Sequence, residues 1–188
     1  MDGLVKRIEK AQPFFRKVAT NQYLRAIRDG FIALMPIIIF SSFFLLIANV
    51  PQIWGFVWPK KVATALNLFY NLSMGFLSLM AASTVAKALT GSLNLKLPKT
   101  NQIPVAGVQY TAQISFAFVA IDTLLNKGNL YLATDMIGTK GLICAFLVAF
   151  IVPNIYYFCF KHNVTITLPD VVPQNIAQAF KNIVPFAI

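Results

Sequence analysis

A single histidine and two cysteines are all that the 188 residues offer toward metal or thiol chemistry, and acidic side chains number only six. One histidine excludes any His-pair metal site built from this chain. Cys144 and Cys159 both fall inside the last apolar run, apart from any Cys-x-x-Cys pattern. They indicate neither a disulfide framework nor a metal and read as buried, inert thiols. No glycine-rich phosphate loop, GxSxG elbow or HExxH occurs, so the chain contains no catalytic constellation and implies no cofactor.

Charge is scarce as well. Only 12% of residues are charged against 57% hydrophobic, with 17 Phe and a mean hydropathy of +0.67. A soluble domain has no use for several long charge-free runs, so the class is polytopic membrane protein. The net charge of +10 and pI of 9.8 invite a nucleic-acid reading. The Lys and Arg residues, however, sit between apolar runs, where membrane topology places them, and nucleic acid is set aside as a partner.

The organising stretch is Asn21–Val50, an amphipathic lead-in ending at Asp29-Gly30 and then no charge until Lys60. About 20 apolar residues match a hydrocarbon layer of roughly 30 Å at 1.5 Å per residue, which predicts a first span over Phe31–Val50 with a kink near Pro36. The run is too long, and too far from the start, for the core of a cleavable signal. Before it, residues 1–30 form a basic cytoplasmic lead-in. Leu4, Ile8, Ala11, Phe15 and Val18 recur at helical spacing there, as on a helix lying in the membrane interface.

A second charge-free run, Val62–Ala86, carries Asn67, Asn71, Gly75, Ser78 and Ala82 as one small and polar stripe. Small residues let helix backbones approach closely and amides avoid lipid, so the stripe is read as a helix-packing face ahead of a ligand contact. Gly91 is the expected helix stop, and residues 86–102 the first cytoplasmic loop. The third span covers Ile103–Leu124 with Gln109 and Gln113 on one face and Asp122 near its end. These three are the weak candidates for substrate contact, with an interhelical hydrogen bond preferred for the glutamines and a hydrated interfacial carboxylate for Asp122. The fourth span covers Gly141–Phe160, with Thr139 as N-cap and Pro153 as an internal kink. His162 beside Lys161 suits a helix C-terminus.

The fold class is therefore an all-α membrane protein with four complete transmembrane helices over residues 31–160. Residues 161–188 supply a linker and a second interfacial helix that opens at Pro173. Its apolar stripe is Ile176, Ala177, Phe180, Ile183 and Val184, and VPFAI resembles the start of a fifth span. Seven basic residues precede Phe31, which by the positive-inside rule holds the N-terminus in the cytoplasm.

Four stretches, NQYLRAIRDGFIALMPIIIFSSFFLL, KLPKTNQI, IGTKGL and LPDVVPQNIAQAFKNIVPF, together resemble the IIC membrane subunit of phosphoenolpyruvate-dependent sugar phosphotransferase systems. The lactose, cellobiose and diacetylchitobiose branch is the nearest in pattern. The resemblance implies a permease of the bacterial plasma membrane that dimerises and moves a disaccharide inward. It also implies IIA and IIB partners, of which IIB carries phosphate on a cysteine. The match is to the N-terminal half of such a subunit. The family's sugar pocket belongs to the C-terminal half, so no catalytic or sugar-binding residue is carried over, and a truncated or split IIC subunit is the expectation. The competing reading is a small self-contained helical bundle, channel-like or an assembly protein.

Overall fold

The computed structural model describes residues 20–126, 129–133, 135–166, 168–169 and 172–188. The interfacial helix expected over residues 1–20 lies almost wholly outside them. Helix α1 (Gln22–Asn49) opens on Asn21, whose side chain accepts a hydrogen bond from the Tyr23 N–H at 2.9 Å, the usual way an orphan donor at a helix start is satisfied. It is continuous through Pro36. At 28 residues it is about 42 Å long, well beyond the hydrocarbon thickness. A 3₁₀ turn (Val50–Trp54) follows, and the Trp58 indole N–H folds back to donate to the Ile47 carbonyl at 2.8 Å.

The second charge-free run is two helices rather than one, α2 (Lys60–Gly75) and α3 (Leu77–Asn94). Phe76 between them takes φ −105°, ψ 8°, outside the helical region. The cause lies 60 residues away. The Ser78 N–H donates to the Ile137 carbonyl at 3.0 Å, and its hydroxyl donates to the Gly138 carbonyl. Those loop carbonyls take over from the turn that a continuous helix would supply. Gly91 does not stop α3 as expected. Leu93 just beyond it is buried, and Asn94 closes the end by a two-way clasp, its Nδ2 donating to the Ile103 carbonyl at 2.9 Å and its Oδ1 accepting from the Ile103 N–H at 2.8 Å. That clasp offsets the cost of a mid-helix glycine, about 1 kcal/mol relative to alanine.

Helix α4 (Val105–Ala120) ends earlier than the predicted third span. Ile121 is extended, and an antiparallel hairpin follows, β1 (Asp122–Asn126) against β2 (Asn129–Ala133), with Asp122 opposite Ala133 and Asn126 opposite Asn129. Helix α5 (Leu142–Lys161) matches the fourth span and contains Pro153. A 3₁₀ turn (Thr139–Gly141) precedes it, and Gly141 rather than Thr139 is its N-cap. Gly141 must be glycine, because a Cβ there would lie 1.8 Å from the Met136 carbonyl oxygen. Helix α6 (Gln174–Ala187) opens after Pro173 as expected and runs on through Val184 and Pro185.

Among the described residues, four helical stretches are long and apolar enough to cross a membrane: Gln22–Trp54, Lys60–Asn94, Lys99–Ala120 and Thr139–Lys161. The described residues thus form a helical membrane bundle of four such stretches with one small hairpin added. Its centre is α3, not the first span. Helix α3 packs against α1, α4 and α5 and buries ten residues, several of them Ala or Ser. Small side chains allow that close approach, as membrane interfaces favour. At the tightest crossing Gly30 of α1 meets the backbone of Val85. Leu34 of α1 lies on α3, in one buried cluster with Leu77 and Ala81. The second half of α1 packs on α2, where Phe44 and Phe69 stack at 4.9 Å.

Candidate functional site

Polar side chains inside the bundle are spent on backbone carbonyls and on each other. Gln109 on α4 donates to the Ser83 hydroxyl of α3 at 3.2 Å, and the buried Thr111 and Tyr156 hydroxyls join α4 to α5 at 2.8 Å. An amide or hydroxyl deprived of water costs free energy unless it is paired. These contacts therefore hold helices together and leave little to offer a ligand. Gln113, one turn from Gln109, is half-buried on the same helix. Asp122, expected on that span too, is the first residue of β1, outside the helix that carries the two glutamines.

The small and polar stripe divides at the break between α2 and α3. Ser78 and Ala82 are fully buried in the core. Asn67 is half-buried and donates to the Ala63 carbonyl of its own helix at 2.9 Å. Asn71 and Gly75 instead line an open cavity of about 490 Å³, together with Asp135, Thr139 and Lys140. The cavity exists because Ser78 holds the 137–138 loop against the end of α2, with a Cβ at Gly138 lying 3.3 Å from the Met74 carbonyl oxygen. It presents an amide, a carboxylate, a hydroxyl and an ammonium group, the donor and acceptor set that suits a hydroxylated ligand. Asp135 was not singled out from the sequence and Thr139 only as a cap. Nothing in their local pattern reports that a loop will be pinned beside Asn71.

The opposite end gathers basic side chains. Lys96 Nζ donates to Gln22 Oε1 at 2.6 Å, and the Lys161 ammonium stands 5.8 Å from the centre of the Tyr157 ring. His162 packs its ring against Phe158 with centroids 4.7 Å apart. Cys144 is half-buried and Cys159 buried, both as free thiols.

Comparison with known proteins accounts for this architecture. The family model described as "Phosphotransferase system, EIIC" matches residues 28–188. The chain is 52% identical over 183 residues to the lactose-specific EIICB component of Lacticaseibacillus casei, covering 97% of this chain and 31% of that protein. It is 50% identical over 187 residues to the lactose-specific EIICB component of Streptococcus mutans, covering 100% of this chain and 32% of that one. It therefore spans about a third of the length of these curated relatives. Among solved structures, the transporter ChbC, the IIC component of the N,N'-diacetylchitobiose-specific phosphotransferase system, superposes with a TM-score of 0.77. That match has 23% identity and covers 95% of this chain and 43% of that one. The fold is thus that of a IIC transporter over nearly the whole chain, and the chain belongs to the phosphotransferase system EIIC family.

Proposed function

We infer that this chain forms the N-terminal membrane portion of a disaccharide permease of a sugar phosphotransferase system, with lactose as the leading substrate. The observation that carries this reading is identity of about half the residues with lactose-specific EIICB components, sustained over 97–100% of the chain. The α3-centred bundle is the scaffold. The sugar site and the IIB component belong to what the relatives, named EIICB, carry beyond the matched length, and IIA is a separate partner. Expressed in a lactose-transport-negative bacterium, the chain alone should insert in the membrane and give no phosphoenolpyruvate-dependent lactose uptake. Supplied in trans with the unmatched part of a lactose-specific relative, it should give uptake. Uptake by the chain alone, or none when both parts are inserted, would overturn this reading.

The same reading sets the topology and the partners in the membrane. Arg25, Arg28, Lys96, Lys161 and Lys181 stand at the end of the bundle where α1 begins, against Lys60, Lys61 and Lys140 at the other. The basic end lies in the cytoplasm. In a chain with Cys144 and Cys159 replaced by alanine, Lys96→Cys should react with a membrane-impermeant maleimide only after the membrane is opened. Labelling in intact cells would invert the orientation. A second copy of the chain completes the assembly, meeting it through the part of the Asn67–Ala82 stripe that the fold leaves uncovered.

A further inference from the structure

Three lysines from three separate elements line one crevice at the basic end of the bundle. Lys96 follows α3, Lys161 ends α5 and Lys181 lies on α6, around a cavity of about 470 Å³ that also includes Asn101, Tyr157 and Phe160. The lysines are placed rather than merely exposed. Lys96 is held by Gln22, Lys161 lies over the Tyr157 ring, and Lys181 is half-buried. The floor is fixed by the Asn101 amide, which donates to the Phe160 carbonyl at 2.8 Å and reaches Asn163 Oδ1 at 3.4 Å. No acidic side chain lines the crevice among the described residues. The one ion pair described, Arg28 with Asp29, lies elsewhere.

We propose that this crevice binds the phosphate headgroup of an anionic phospholipid. Lysines at the ends of membrane spans are ordinary, and each alone would be a topological charge. Convergence of three on one cavity is a different arrangement, of the kind that binds acidic headgroups between membrane helices. Two helix C-termini, those of α3 and α5, face the same region with about half a negative charge each. Three full positive charges outweigh them, and the Phe160 carbonyl is already taken by Asn101. A lipid, rather than a soluble phosphate, is indicated by the surroundings. The walls include Tyr157 and Leu97, where α5 leaves its span. Beside Lys181, the exposed Ile176, Phe180 and Ile183 of α6 give acyl chains a surface to follow.

Native mass spectrometry of the detergent-purified chain tests this, with dioleoyl phosphatidylglycerol as the anionic probe and dioleoyl phosphatidylcholine as the neutral one. The wild type should retain phosphatidylglycerol in preference to phosphatidylcholine. Lys96→Gln, Lys161→Gln and Lys181→Gln should each lower that retention about fivefold, since a basic residue near an anionic surface contributes roughly 1 kcal/mol. The triple variant Lys60→Gln/Lys61→Gln/Lys140→Gln removes three charges at the opposite end, more than any of these, and should bind like wild type. Circular dichroism checks that each variant is folded, and Lys60→Gln, Lys61→Gln and Lys140→Gln made singly serve if the triple variant is not. Equal retention of the two lipids, or equal losses in both sets of variants, would overturn the proposal. Displacement of phosphatidylglycerol by inorganic phosphate at equal concentration would equally reject a lipid site.

Discussion

Gly30→Val should lower the thermal midpoint of the detergent-solubilised protein by about 10 °C. A Cβ at Gly30 would sit 2.5 Å from Val85 Cγ2, 2.9 Å from the Val85 backbone nitrogen and 3.0 Å from its Cα. Side chains can turn aside, but a helix backbone has to move as a body, and α3 is packed on α4 and α5 as well as on α1. Overpacking of a close-packed core costs about 1–3 kcal/mol, and backbone contact puts this substitution at the upper end. At about 2–4 °C per kcal/mol for a chain of this size, the shift is of that order. Adding Val85→Ala removes the methyl at 2.5 Å and leaves the nitrogen at 2.9 Å, so it should recover less than half of the loss. A Gly30→Val protein that melts with the wild type, or full rescue by Val85→Ala, would show that α1 and α3 are not held by backbone contact.

Gly30 was legible in the sequence only as the residue before the first apolar run, and the same limit explains most of what the sequence did not disclose. Spans, their approximate limits and the amphipathic helix after Pro173 follow from hydropathy and period, which are local properties. The break at Phe76 is not local. It depends on Ser78 meeting the carbonyls of residues 137 and 138, and a charge-free run carries no mark of that. Helix α3 likewise outruns Gly91 because Asn94 clasps Ile103 across the loop, and an asparagine after an apolar helix looks the same with or without such a partner. The hairpin was missed for a different reason. Asp122–Asn126 continues an apolar stretch whose length suited a longer span, and strand pairing with Asn129–Ala133 won over hydropathy. Of the candidate contact residues, Gln109 could be read correctly as an interhelical donor. The cavity beside Asn71 could not, since Asp135, Thr139 and Lys140 reach it only through the pinned loop.

Gly75→Leu should abolish self-association while leaving the fold of a single copy intact, the reverse of what Gly30→Val does. Gly75 ends α2, and a Cβ there would meet nothing within 4 Å among the described residues. The position is therefore open to approach by a second molecule. Asn71, one turn earlier, is exposed, and its amide is open to a partner on a second copy. Interhelical hydrogen bonds in bilayers contribute about 0.6–2 kcal/mol each, and close backbone approach at a small residue adds dispersion contacts that a leucine would prevent. Chemical cross-linking of protein reconstituted over a range of protein-to-lipid ratios should give a dimer for wild type, a weaker dimer for Asn71→Leu and monomer for Gly75→Leu. The thermal midpoint of Gly75→Leu, measured at dilution where wild type is monomeric, should match the wild-type value. A wild type that stays monomeric at every ratio, or a dimer that Gly75→Leu leaves unchanged, would remove this face of α2 from the assembly.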